Sequence, residues 1–583
     1  MILQQFLFVT TSLFCFFICT YAQRLTVDVG YGVYTGVTNS TTGLNIWKGI
    51  RYAAPPTGAL RWQAPQAPTT NRTIVIASTF GPACPQSFSQ FQGAPFWIGN
   101  EDCLFLNVYA PSNGSKLPVL ASIHGGGYGQ GDASQDMSSF INTNDNGLVA
   151  VTIQYRLGAF GFLSSAEIKA RGVLNAGLLD QNFAFQWIQK NIAQFGGDQN
   201  RVTIAGESAG GASAMLHAIA QDGSLGTNLF KNIISASPFL PSQPNFSDPI
   251  PTQHYYDFSK SAGCPSSGTV FDCLITKDSL TLQYASNLVS TNLPTPHGNW
   301  AFIPVTDGTY VTGLPSVQLN QRRVNGLRAL VGNNANEGSL VVPATIITEN
   351  DLITWIKSNF ANLSTTNITA LLAAYPSTSG PVNSADPKYE TNGYGPGTAV
   401  NISQVGTGQQ QRAYDMYAEA AAVCPSYWLS TAFTSSNKTA YHYQYSVPFA
   451  VHGSDVSAYY GPPTDNQGPE FVTAFQKIYG NFITKDDPSI PNEIANGPSS
   501  ADPSAINAAS KWPKWTDQNP QQLNLNETGG TAYTVVTAQG IPVTQFKEPG
   551  LRNSITVADA STWEGGRGER CEFWRRLSPF VPQ

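Results

Sequence analysis

The sequence predicts an α/β fold: a large, mostly parallel central sheet flanked by helices, with loop and helical insertions. Three observations lead there. Strand-like and helix-like segments alternate through the first two-thirds of the chain, the pattern of a parallel sheet whose crossovers are helices. A short apolar run, Leu117 to Ile123, stops at His124-Gly125-Gly126-Gly127. A second run, Arg201 to Ala205, enters Gly206 and is followed at once by a helical stretch.

The remaining elements follow in order. Leu148 to Tyr155 reads as a strand. Ala176 to Phe195 reads as a helix, because Leu179, Phe183, Trp187, Ile188 and Ile192 recur at helical spacing. Ala209 to Ala220 opens the helix after the glycine turn. Lys231 to Ser235, Leu327 to Gly332 and Ala440 to Val447 are later strand candidates, with 411–433 helical between the last two. The Pro/Ser/Gly-rich stretches 376–410 and 486–506 read as surface loops or insertions, since periodic segments continue on both sides. There is no internal repeat, so residues 23–583 are expected to form a single domain.

The chain has 583 residues, of which 41% are hydrophobic and 11% aromatic, enough for a large core. Charged residues make up only 12% and the net charge is −6, with no Lys/Arg run. A nucleic-acid partner is not expected, because phosphate binding needs a concentrated basic face. Residues 2 to 19 are mostly apolar, and Thr20-Tyr21-Ala22 offers small residues for a signal peptidase, so 1–22 reads as a leader cut after Ala22. The run is short for a membrane span. A secreted, extracellular protein without a stable membrane anchor is expected. Cys15 and Cys19 leave with the leader, and six cysteines remain, an even number that suggests disulfides in an exported chain. Asn39, Asn71, Asn113, Asn245, Asn362, Asn367, Asn401, Asn437 and Asn526 begin Asn-x-Ser/Thr sequons and are candidate glycosylation sites.

The sharpest chemical signal is Gly206-Glu207-Ser208-Ala209-Gly210-Gly211 between a strand and a helix. This is the Gly-x-Ser-x-Gly nucleophile elbow of the α/β-hydrolase fold. Side chains at the flanking positions would clash in so tight a turn, and the helix start offers N–H groups to a developing oxyanion. Gly126 and Gly127 are expected to complete a three-donor oxyanion hole with the N–H of Ala209. A serine hydroxyl needs a base, and this fold uses the order serine, acid, histidine. Of the histidines at 124, 217, 254, 297, 442 and 452, His124 comes too early and His442 lies inside an aromatic strand pattern. His452 follows that strand in a loop, where the base belongs. Glu337, in Asn336-Glu337-Gly338-Ser339, fits the acid, with Glu207 and Asp455 read as shaping the electrostatics. A nearby carboxylate raises an imidazole and burial lowers it, so the activity limb of His452 is expected in the mildly acidic to neutral range.

These residues resemble the type-B carboxylesterases, the family of fungal lipases and cholinesterases. Phe195-Gly196-Gly197-Asp198 through Gly210 is similar to its serine signature, and Glu101-Asp102-Cys103-Leu104-Phe105-Leu106-Asn107-Val108-Tyr109-Ala110-Pro111 to its second signature. Trp47 to Pro56 with Leu60-Arg61-Trp62 resembles its early loop. The resemblance runs from about residue 27 to the end. It implies a carboxylic ester hydrolase acting on small-molecule esters through Ser208, His452, Glu337 and an acyl-enzyme, with no cofactor and no metal. It also implies the pairings Cys84–Cys103, Cys264–Cys273 and Cys424–Cys571.

Within that class an esterase and an interfacial lipase or sterol esterase both remain. An adhesion or binding protein on the same scaffold is a third alternative, but it has no use for the full catalytic set. The loop Pro85 to Asp102 is shorter than the family's lids and holds Phe88, Phe91, Phe96 and Trp97. Pinned at both ends, it is expected to have limited reach, which favours dissolved short- and medium-chain esters. Acyl and alcohol specificity and oligomeric state are not legible in the sequence.

Overall fold

The computed structural model describes residues 25–88, 96–292, 300–377, 406, 408–435, 437–537 and 540–583. The leader 1–22, Phe91, His297, Asn401 and most of the stretch 376–410 lie outside them.

Eleven strands among the described residues form one sheet, in the order Val37–Asn39, Leu44–Arg51, Phe105–Pro111, Val149–Ile153, Leu117–Ile123, Gly197–Glu207, Asn232–Ala236, Arg328–Asn334, Thr439–Tyr445, Gln521–Val536, Pro542–Asp559. The seven from Val149–Ile153 to Gln521–Val536 pair in parallel, and antiparallel strands close both edges. A small separate sheet joins Thr26–Asp28, Gly32–Thr35 and Asn71–Ile76. Strand side chains alternate between faces, and helices cover both. Val119, Ala121 and Ile123 join one core cluster with Val151, Ile204 and Ile233, while Leu120 joins the other with Ala150, Ala205 and Ile234. Burial on both faces is why these strands read as continuous apolar runs rather than alternating ones.

The helix expected at 176–195 is α-helical over Ala176–Asn191 and tightens over Ile192–Phe195. Of the expected face, Trp187, Ile188 and Ile192 are buried, but the core takes more than that stripe. Leu178, Phe185 and Ile188 are fully buried, whereas Leu179 and Phe183 are only partly so. The helix is covered on more than one side, which no single stripe describes. Buried ion pairs hold the loops in front of it. Arg156 clasps Asp180, at 2.7 Å from Nη2 to Oδ1, and Arg61 clasps Glu101, also at 2.7 Å.

The helix expected at 411–433 is interrupted. It runs over Gln409–Ala418, widens through Glu419–Val423, where the Cys424 N–H reaches back five residues to Glu419 O, and continues as Cys424–Ala432. Pro425 explains the wide turn. It has no N–H for the carbonyl four residues back, Ala421, and its ring would press on that carbonyl. Ala421 O instead accepts from Leu240 N at 2.7 Å.

Disulfides join Cys84 to Cys103, Cys264 to Cys273 and Cys424 to Cys571. The last ties the interrupted helix to the final one, Trp563–Leu577. The eight described sequon asparagines are all at least partly exposed. The bridge Cys424–Cys571 spans 147 residues, so the double change Cys424→Ala, Cys571→Ala is expected to cost about 2–5 kcal/mol. Denaturant or thermal unfolding under non-reducing conditions measures the difference from the parent protein.

Candidate active site

Four neighbouring parallel strands deliver the site at their C-terminal ends, where α/β sheets place their ligands. Ser208 ends Gly197–Glu207, Ser237 follows Asn232–Ala236, Glu337 follows Arg328–Asn334, and His452 follows Thr439–Tyr445. Ser208 has φ 58° and ψ −123° and precedes the helix Ala209–Ile219. Gly206 allows this turn, since a Cβ there would lie 2.3 Å from Gly210 C.

Ser208 Oγ and His452 Nε2 are 2.8 Å apart. His452 Nδ1 faces Glu337 Oε2 in a very short hydrogen bond. Glu337 Oε1 accepts from the Ser237 hydroxyl at 2.6 Å and from the Asn334 N–H. Asn336 fastens the Glu337 loop to the His452 loop, its N–H donating to Ala450 O at 2.9 Å and its amide to Phe449 O at 2.6 Å. Asp455 points elsewhere, accepting from Asn334 at 3.1 Å and Tyr443 at 3.0 Å. Glu207 Oε1 stands 3.4 Å from His452 Nε2.

The glycine loop faces the same space. Gly126, Gly127, Ser208 and His452 border one cavity of about 260 Å³. Among the described residues the N–H groups of Gly126 and Gly127 have no hydrogen-bond partner. Ala209 is the first residue of its helix, where N–H groups lack an internal acceptor. Gly127 has φ 61°, and a Cβ there would lie 2.2 Å from the Trp300 ring. The rest of the lining is mainly apolar: Phe239, Trp300, Leu340, Val341 and the alanines 418, 421 and 422 of the interrupted helix. A larger cavity of about 1000 Å³ touches Glu207 from beside Asp132 and Asp136 but does not reach Ser208 or His452.

A model of the carboxylesterase family matches residues 23–539. The chain belongs to the carboxylesterase family. It is a carboxylic ester hydrolase with the α/β-hydrolase fold. It is 29% identical over 534 residues to the secreted triacylglycerol lipase LIP1 of Gibberella zeae, covering 85% of each chain. It is 34% identical over 346 residues to carboxylesterase 1F of Mus musculus, covering 54% of this chain and 60% of the other. The crystal structure of Aspergillus niger EstA superposes with a TM-score of 0.74 at 25% identity, covering 96% of this chain and 99% of that one.

The other described histidines of this esterase are built into the body. His124 stacks on Tyr155 at 4.4 Å, and burial drives it down to about 4. His217 bonds Tyr310 at 2.7 Å and Gln181 at 2.8 Å. His254 faces Ala301 O at 2.9 Å. His442 meets Ser426 at 2.9 Å, and burial pushes it down to about 3. Sequence reasoning missed Ser237 and Asn336 as supports of Glu337: Ser237 belongs to no local motif, and Asn336, though beside Glu337, bonds partners more than 100 residues away. It also missed the alanine wall, although Pro425 inside a helical pattern was a visible signal.

The electrostatics shift the expected pH limb. Burial works against the His452 cation, but the carboxyl groups of Glu337, Glu207 and Asp455 outweigh it and push the imidazole up to about 9. Burial pushes Glu207 up to about 8 and Asp455 up to about 6. A histidine accepts the serine proton only when neutral, so kcat/KM should rise with pH along a limb centred above the ~6.5 of a free imidazole, not in the mildly acidic range. Glu207→Gln removes a carboxyl that favours the cation, so the limb should move to lower pH. A kcat/KM profile from pH 5 to 10 for both proteins checks the position and the direction.

Proposed function

We propose that Ser208, His452 and Glu337 are the nucleophile, base and acid of a triad that cleaves esters through a covalent acyl-enzyme. The observation that carries the reading is the unbroken hydrogen-bonded line from Ser208 Oγ through both ring nitrogens of His452 to Glu337. As Ser208 Oγ attacks the ester carbonyl carbon, its proton passes to His452 Nε2. The carbonyl oxygen becomes an oxyanion, met by the N–H groups of Gly126, Gly127 and Ala209, which are fixed before reaction and need no reorganisation. Collapse breaks the bond to the alcohol oxygen, and His452 returns the proton to it. Water, deprotonated by His452, then attacks the acyl-Ser208 ester, and the acid leaves with Ser208 reprotonated. Glu337 holds the ring by Nδ1–H and stabilises the imidazolium of each step.

In this reading residues 23–583 work as one unit outside the cell, after removal of the leader 1–22. Relatives named as secreted lipases, three disulfides and part-exposed sequons support it. Among the described residues, no helix is long and apolar enough to cross a membrane.

For substrates, the reading favours dissolved short- and medium-chain esters. The loop between Cys84 and Cys103 is tied down along its described parts. Ser87 Oγ donates to Ser286 O at 3.0 Å, Phe88 N–H to Asn287 at 2.9 Å, and Gly99 N–H to Gln283 at 2.9 Å. A second reading, the interfacial lipase, draws on one observation: Trp97, Ile98, Leu280, Tyr284 and Leu288, on this loop and the helix beneath it, are exposed.

Ser208→Ala should lower kcat by about 10⁶-fold without unfolding the protein, and Glu337→Gln by about 10²–10⁴-fold. Steady-state hydrolysis of a p-nitrophenyl ester with circular dichroism measures both. If Asp455→Asn cripples the enzyme and Glu337→Gln does not, the acid is misassigned. Rate against concentration for a short-chain ester, carried through its solubility limit, should saturate smoothly. A jump confined to the region above that limit would establish the lipase reading instead.

A further inference from the structure

We propose that acyl-chain selectivity is set by the wide helical turn Glu419–Val423, and that Pro425 and Gln583, which do not line the cavity, are the positioning residues that hold it. This rests on the triad reading above.

The direction of the chain follows from the chemistry. The alcohol departs beside the group that protonates it, His452 Nε2, near the Glu207 carboxyl. The acyl chain sits on the other bond of the same carbonyl carbon and must run along the apolar lining. Part of that lining is Ala418, Ala421 and Ala422, whose methyl side chains leave the room that a larger residue would fill. At about 260 Å³, the cavity holds eight or nine water-sized groups of ~30 Å³ each, the bulk of a medium-length chain.

Ala418, Ala421 and Ala422 are three and four residues apart, on one face of the helix, and the widened turn Glu419–Val423 carries Ala421 and Ala422. Pro425 forces the extra residue into the turn and leaves the carbonyls of the widened segment in need of donors. An unpaired buried carbonyl is costly, and two outside donors meet the need. Leu240 N–H donates to Ala421 O at 2.7 Å, and Leu240 follows Phe239, another lining residue. The Gln583 amide donates to Ala420 O at 2.8 Å and to Leu240 O at 3.0 Å, bridging the two segments from behind. Gln583 is fully buried. It is itself anchored, its carbonyl accepting from Ser316 N at 3.1 Å, while Gln243 N donates to Pro582 O at 2.6 Å. At the head of the turn, Glu419 is clasped by Arg570, at 2.8 and 2.6 Å, and by Arg567 at 3.2 Å, both from the final helix. The turn is thus fixed at its head by an ion cluster, in its middle by Gln583 and at its end by Pro425 and the bridge Cys424–Cys571.

The test is the ratio of kcat/KM for p-nitrophenyl octanoate to that for the acetate. Ala421→Leu fills the wall directly and should lower the ratio about tenfold, the scale on which apolar pockets discriminate single groups. Pro425→Ala restores the missing N–H, and Gln583→Ala removes the bridge. Each should lower the ratio through a rise in octanoate KM, while octanoate kcat changes less. A merely structural role would lower activity on both esters alike. Ratios within about twofold of wild type in the folded variants would overturn the proposal. Where one of Pro425→Ala and Gln583→Ala does not fold, the other decides the positioning role; where neither folds, Gln583→Asn, which keeps the amide but shortens its reach, decides it, and Ala421→Leu decides the wall. Wild-type acetate hydrolysis that is lost in Ser208→Ala is measured alongside. Its absence would defeat the triad reading, and this one with it. Its presence with unmoved ratios would defeat only this one.

Discussion

The close crossing of Gly206 and Gly210 is the constraint on which the rest of the site depends. With no side chain at either position, the strand Gly197–Glu207 reverses into the helix Ala209–Ile219 within a single residue. Ser208 is left at a positive φ that side chains rarely adopt, and such a conformation persists only where its surroundings over-determine it. They do so here. Ser208 N–H donates to Ala236 O at 3.0 Å, and its carbonyl accepts from Phe239 N at 3.1 Å and Ala212 N at 2.8 Å. Ser208 is therefore registered against the next strand of the sheet, and the same contacts bring Ser237 toward Glu337.

From that point the site grows by neighbouring strands. Ser237 follows the strand beside the elbow, Glu337 the next and His452 the one after. The parallel register brings their ends to one edge, but strand ends are loosely aimed. Hydrogen bonds between loops supply the precision: Ser237 to Glu337, and Asn336 to the backbone around Ala450. Small misplacements of reacting groups cost large factors in rate, so these bonds across 100 or more residues of sequence matter as much as the triad atoms they aim.

What was legible in the sequence was what is local. The elbow, the glycine loop and the two loop residues Glu337 and His452 each carry a short pattern whose chemistry follows from its neighbours. The buried parallel strands were legible because both faces demand apolar side chains. The long hairpin Gln521–Val536 with Pro542–Asp559 was not. Its outer half is exposed and rich in threonine and glycine, so burial imposes no pattern on it. Strands Val37–Asn39, Leu44–Arg51 and Phe105–Pro111 also went unassigned; the first two form a local hairpin, but Leu44–Arg51 meets Phe105–Pro111 only across some sixty residues. The roles of Ser237 and Asn336 were hidden because their partners, Glu337 and Phe449, lie 100 and 113 residues away. Pro425 was visible, but its consequence depends on donors at Leu240 and Gln583 that only the fold brings near.

The carboxyl groups around His452 divide their work by position rather than by type. Three surround one imidazole, and only Glu337 faces Nδ1. From there a carboxylate favours the cation without competing for the nitrogen that faces Ser208. Glu207 stands on the Nε2 side. From that side its charge adds to the pull of Glu337 on the imidazolium, and burial, which disfavours the carboxylate, tempers that pull. Asp455 is turned away to Asn334 and Tyr443 and acts on the ring only through its field. The hydrogen-bonded support of the ring thus comes from Glu337 at Nδ1, on the side away from Ser208, while Glu207 and Asp455 act through their charge.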